Sequence, residues 1–103
     1  MKEAALQAKI IKYLKAEGAY VIKTMVTNRN GVPDIICCWK GFFLAFEIKG
    51  EKGKVTDLQK YNLDEIMKAG GKAIAVRNIE EVQIYLGYYK QTLYYKQTLY
   101  GEE

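Results

Sequence analysis

There is no histidine and no serine anywhere in this chain of 103 residues. Their absence removes every Ser-His-Asp arrangement, every Cys-His pair and every histidine-ligated zinc site. Proline occurs once, while half of the residues are hydrophobic, which excludes a disordered chain. Cysteine occurs only as the neighbours Cys37 and Cys38. Adjacent residues of an extended run point to opposite faces and cannot bridge without strain, so a disulfide framework is excluded. The thiols read as reduced, in an intracellular, cytoplasmic setting. No base accompanies them, which makes their role structural and not nucleophilic. No stretch approaches the ~18 uninterrupted apolar residues of a membrane span. The apolar run at 35–39 has the length of a buried strand, and Lys2 is not followed by the apolar block of a signal peptide.

What is present is a basic chain of single-domain length. Sixteen lysines and arginines against 12 acids give a net charge of +4. That balance is compatible with a polyanionic partner, but the positions of the acids carry more information than the sum.

Residues 2–17 read as an amphipathic helix with Leu6, Ile10, Tyr13 and Leu14 on one stripe and Gly18 as its stop. Strands are expected at 20–24, 34–39 and 42–49, the last two joined by a tight turn at Lys40 and Gly41. The cluster Asn28-Arg29-Asn30-Gly31 is a turn former. After a glycine-lysine loop at 50–53, Thr56 serves as the N-cap of a helix over 57–69, closed by Gly70 and Gly71. A strand at 72–77 follows, and Asn78 caps a last helix at 80–86. The order αβββαβα describes an α/β domain, a mixed sheet flanked by helices, in which the helix before the fourth strand allows a parallel crossover. Residues 88–103 form a tyrosine-rich extension containing the hexapeptide Tyr-Lys-Gln-Thr-Leu-Tyr twice in tandem, at 89–94 and 95–100. It reads equally as a strand or as a helical extension, and as a dimerising surface, an aromatic platform for bases or a duplication of little function.

Three charged residues stand where the fold favours apolar ones. Asp34 opens one strand of the hairpin, and Glu47 and Lys49 lie near the end of the other, two apart and so on one face. In a hairpin turning at 40–41, Asp34 and Glu47 come within reach of one cation. Two close carboxylates repel, and a divalent cation with a preference for oxygen relieves that repulsion. Lys49 on the same face is suited to an anionic phosphoryl transition state or to holding a water. A surface Glu-Lys pair is the plainer alternative. Helical phase puts Glu3 on the line of Leu6, Ile10 and Leu14, where it either frays into solvent or points into a site. In the second helix Val55, Leu58, Ile66 and Ala69 define the expected buried stripe. Gln59 and Asn62 fall inside it, bonded to backbone or facing the site. Lys52, Lys54 and Lys60 border the proposed site as phosphate contacts, and Arg29 joins them as a nucleic-acid-binding residue.

The run Gly31-Val32-Pro33-Asp34, then Phe46-Glu47-Ile48-Lys49-Gly50, then Gln59 resembles the PD-(D/E)xK nuclease superfamily. Within it the chain is similar to the stand-alone virus-type replication-repair nuclease (VRR-NUC) domain over about residues 3–82. The resemblance implies a restriction-endonuclease-like core and a magnesium- or manganese-dependent phosphodiesterase. It implies Asp34, Glu47 and the backbone carbonyl of Ile48 as metal ligands, with Glu3 as a further candidate. By the same resemblance Lys49 is the catalytic lysine, Gln59 a supporting site residue and Glu3 the helix acid. It also implies DNA as substrate, branched DNA such as a four-way (Holliday) junction first, and a phage or virus among the possible sources. A junction has two-fold symmetry and one chain supplies one site, so a homodimer is expected. The alternatives are a restriction-like or single-strand nuclease of the same superfamily, or a catalytically idle DNA-binding module.

Overall fold

The computed structural model describes residues 2–100, with the side chains of 97–100 left aside, so residues 101–103 of the extension lie outside the description. Helix α1 (Glu3–Ala16) is followed by strands β1 (Tyr20–Lys23), β2 (Ile35–Trp39) and β3 (Phe42–Ile48), helix α2 (Asp57–Lys68), strand β4 (Lys72–Val76) and helix α3 (Ile79–Tyr100). The sheet order is β1-β2-β3-β4. β1, β2 and β3 form an antiparallel meander, and β4 joins β3 in parallel after the α2 crossover. The turn between β2 and β3 is tight because Lys40 and Gly41 both take positive φ, 48° and 85°, the two-residue geometry that matches strand twist.

Helices α1 and α3 cover one face of the sheet. Leu6, Ile10 and Leu14 from α1 and Val82 and Leu86 from α3 close over Ile35, Cys37, Trp39, Leu44, Phe46, Ile48 and Val76. Each side chain of that size, once buried, contributes about 1.5–3 kcal/mol. Cys37 belongs to this core and Cys38 is exposed on the opposite face, as the pleat requires. Burial raises the Cys37 thiol to about pKa 11, with the neighbouring Cys38 adding to the effect, so it stays protonated and inert.

The second face carries α2 alone, over the small residues Ala45 and Ala73. Helical phase predicts Leu58 and Ala69 on its buried stripe. Both are exposed; Asn62, which falls on the same stripe, is buried, and so is Leu63, which does not. The reason is local: Thr56 is an N-cap in an extended conformation, so Val55 lies outside the helix and its apolar character does not report the helical phase.

The last helix also differs from the expected 80–86. It passes through Gly87 and runs to Tyr100, so the extension is helical from the body outward. A glycine inside a helix costs about 1 kcal/mol against alanine. Packing beyond it compensates: Tyr89 sets its ring against Phe42 and Tyr85 at centroid distances of 5.0 and 5.2 Å, and Lys90 pairs with Glu17, the C-cap of α1. Among the described residues no helix is long and apolar enough to cross a membrane.

Candidate active site

The β2–β3 ladder pairs Ile35 with Phe46, so one step further on Asp34 stands opposite Glu47, as the hairpin argument expects. Both belong to the α2 face. Glu47 is buried, at 3% exposure. Burial raises its carboxyl to about pKa 7, helped by the charge of Asp34 and a hydrogen bond to it, while Lys49 pulls the other way. Lys49 Nζ lies 3.6 Å from Glu47 Oε2. Asp34, half-buried, accepts the Ile48 N–H on Oδ2 at 2.8 Å.

The Pro33 carbonyl, which stands opposite, accepts the Thr24 hydroxyl, and the Ile48 N–H goes to Asp34 instead. Lys49 N–H donates to Val76 O across the β3–β4 pair. Along a strand these directions alternate, so the N–H and C=O of Ile48 both turn toward β2. The register puts Pro33 opposite Ile48, and proline has no N–H to offer the Ile48 carbonyl. The ladder therefore ends there, with Asp34 holding the Ile48 N–H and the Ile48 carbonyl turned to the same side.

Gln59 is held from both ends of its amide. Thr56 and Gln59 form a reciprocal capping box: Gln59 N–H donates to Thr56 Oγ1 at 3.2 Å, and Gln59 Oε1 accepts the Thr56 N–H at 2.9 Å. With Oε1 committed, Nε2 points away and donates to Glu47 Oε2 at 3.2 Å. The signal was in the sequence as Thr-x-x-Gln at a helix start. Asn62 does not reach this group. It donates to Asn30 O and Leu58 O, both at 3.0 Å, and so ties the β1–β2 loop to α2.

Glu3 is exposed along its length but not frayed. Its Oε2 accepts the Gly50 N–H at 3.1 Å. Gly50 and Gly53 leave room for this carboxylate, and a methyl group on Gly53 would also touch the Lys49 stem, at 3.4 Å from Cδ. The loop after Lys49 thus closes on the site's own side chains. Arg77, which sequence reasoning passed over, holds the other side of the same loop through the carbonyls of Gly50 and Glu51. Lys52, Lys54, Lys60 and Arg29 are all exposed around this region and present positive charge to solvent.

Glycine is required at position 31. Its φ is +78°, and a Cβ there would stand 2.7 Å from Leu58 Cγ and 3.1 Å from Asn62 Nδ2. The Gly-x-Pro-Asp segment is therefore a spatial requirement, the glycine for the approach of α2 and the proline for the end of the ladder.

This arrangement has a recognisable counterpart. A model of the VRR-NUC domain matches residues 1–78. The chain belongs to the VRR-NUC family. Two solved structures carry the same fold. One, a VRR-NUC domain, superposes with a TM-score of 0.74 at 24% identity, covering 84% of this chain and 96% of the other. The second, a VRR-NUC domain protein, gives a TM-score of 0.71 at 19% identity, covering 86% and 88%. No match was found among curated proteins. The αβββαβα order and mixed sheet agree with a restriction-endonuclease-like fold, and the VRR-NUC membership makes the chain a member of a nuclease family.

Among the described residues no three His, Cys, Asp or Glu side chains cluster as a metal site. What stands here is a pair of carboxylates, one of them raised first by burial and then by the charge of the other, with a backbone carbonyl beside them. That donor set is all oxygen and leaves positions for water and phosphate, which suits magnesium or manganese and not zinc.

Proposed function

We propose that this VRR-NUC chain is a magnesium- or manganese-dependent DNA endonuclease that hydrolyses phosphodiesters in branched DNA, four-way junctions first. The observation that carries the reading is the Asp34–Glu47 pair, two carboxylates forced together at the end of a hairpin with Lys49 and Gln59 bonded to one of them. Asp34, Glu47 and the Ile48 carbonyl would hold the cation. When bound, it lowers the pKa of a water and neutralises charge on the phosphate, which answers the lack of histidine.

The chain's own residues do the rest. Gln59 fixes the rotamer of Glu47 through a bond whose direction the capping box dictates. Lys49, on the same strand face, supplies one positive charge for the developing negative charge of the pentavalent phosphorus. Glu3 orients the loop that follows Lys49 by holding the Gly50 N–H. Lys52, Lys54, Lys60 and Arg29 attract and track the phosphate backbone.

Recognition by shape suits a chain with little room for base-reading elements. A two-fold junction cut on two strands needs two sites, hence a homodimer. The outer face of α3, with Ile84, Tyr88 and Tyr95 exposed, is the surface offered for it, since tyrosine buries area while keeping a polar tip. The test is nicking of an end-labelled four-way junction in magnesium, manganese or EDTA, with linear duplex as control and sedimentation of the free protein alongside. Metal-dependent cutting of the junction by a dimer is expected. Cutting of linear and branched DNA at equal rates by a monomer would remove the junction reading, and no cutting in either metal would leave a DNA-binding module.

A further inference from the structure

Residues 24–33 link β1 to β2 and run from the edge of the sheet to Asp34. The loop is tied down at both ends and on its shoulder. Thr24 Oγ1 donates to Pro33 O at 2.7 Å and its N–H to Asp34 O at 2.9 Å. Thr27 Oγ1 donates to Arg29 O, and Asn62 of α2 to Asn30 O. Yet its tip is apolar and points into solvent: Met25 is 79% exposed and Val26 96%.

Single exposed apolar residues need no explanation. These two are adjacent, stand on an anchored support, and line a depression of about 380 Å3 that also contains Asp34 and Arg29. Arg29 and Asn30 continue into a second depression of about 350 Å3 with Tyr61, a residue 56% exposed. Between Glu17 and Asp34 the chain has no acid, only Lys23 and Arg29. A two-residue tip is far smaller than the apolar patch of a few hundred Å2 that marks a protein partner. A short apolar wedge with basic neighbours has the chemistry of side chains that enter a base step, and a half-exposed tyrosine beside it is a stacking plate for a displaced base.

We infer that Met25 and Val26 form a wedge that enters the base stack beside the scissile phosphate while a displaced base stacks on Tyr61, so that weakened stacking, as at a branch point, is the feature selected. The inference rests on the nuclease reading for the position of that phosphate. It makes the β1–β2 loop a specificity element bolted to the residue proposed as a metal ligand.

The experiment uses a four-way junction carrying 2-aminopurine at the branch, bound in calcium so that fluorescence is read apart from cutting, and then in magnesium or manganese for rates. Wild-type protein is expected to raise the fluorescence on binding. The double variant Met25→Ser, Val26→Ser should lose that rise and lower the ratio of branched to linear cutting about tenfold or more. Tyr61→Leu should weaken binding to the branch by roughly tenfold. Met67→Ser, at an exposed site on α2 away from the loop, should behave as wild type. A double variant with the full fluorescence rise and unchanged preference would overturn the wedge, as would a wild-type protein that binds the branch without unstacking it. Unstacking by wild-type protein that cuts nothing would keep the wedge and sink the nuclease reading.

Discussion

The two faces of the sheet are built to different ends. Under α1 and α3 lies a continuous apolar core that includes Trp39, Phe46 and Leu86. Under α2 its Leu63 rests on Ala45 and Ala73, and the same face carries Asp34, Glu47 and Lys49, with Gln59 of α2 above them. Because β3 is central, its alternate residues serve both faces: Phe46 and Ile48 pack inward to the large core while Glu47 between them sits among polar groups. The lesson is a division of labour. Stability is concentrated on one side, so the other can hold a buried carboxylate, Glu47, beside the half-buried Asp34, which an even distribution of packing would not tolerate.

Substitutions on the two faces should separate cleanly. Trp39→Ala, on the packed face, should cost about 3–5 kcal/mol and unfold much of the protein at ordinary temperature. Asp34→Asn, on the other face, should leave the thermal midpoint within a few degrees while cutting falls by about a thousandfold or more. Equal loss of fold in both, read by circular dichroism, would break the comparison.

Within the polar face a second separation is expected. Lys49→Ala should lower turnover of bound DNA by about a hundredfold with affinity changed only a few-fold. Lys52→Ala and Lys54→Ala should weaken binding and reduce its salt dependence by about one phosphate each. Single-turnover rates and salt titrations of binding measure the two quantities. A loss of affinity alone in all three would remove the distinction.

Gly31→Ala probes how closely the thin layer is docked. Its Cβ would meet Leu58 at a strained φ, so a loss of about 2–3 kcal/mol in urea unfolding is expected, within the range for strained backbone. The smallest effect is electrostatic. Glu47 is raised in the folded state from an ordinary value near 4.5 to about 7. Its protonated form is thus favoured by folding, and metal-free protein should lose stability as pH rises from about 4.5 through about 7. Glu47→Gln should flatten that dependence in thermal melts without metal. A slope unchanged by the substitution would assign it to another group.

Much of this was legible before any coordinates, for physical reasons. The hairpin turn, the strand alternation and the Thr56 and Asn78 caps are short-range features, and together they bring Asp34, Glu47 and Lys49 to one place. Gln59 was legible from helical phase, although its reciprocal bond with Thr56 was overlooked. Long-range packing was less accessible. Nothing in the sequence says that α2 turns Leu63 inward and Leu58 outward or that Arg77 reaches back to Gly50, because these depend on how elements far apart in the chain dock. The extension reads either way because a six-residue repeat keeps the strand period of 2 but falls short of a whole number of helical turns, so its pattern alone does not select the helix. Contacts of Tyr89 and Lys90 with the body decide the matter.

That mismatch has a geometric consequence for the repeat. At about 100° per residue, a step of six advances a helix by about 600°, so equivalent residues of the two copies are about 120° apart around the axis. Tyr89 heads the first copy and is tucked against Phe42; Tyr95 heads the second and stands 53% exposed. The second copy therefore extends the rod by about 9 Å and turns its leading tyrosine to a new compass direction. The same letter thus reads differently at its two places, Tyr89 addressed to the core and Tyr95 to whatever the protein meets.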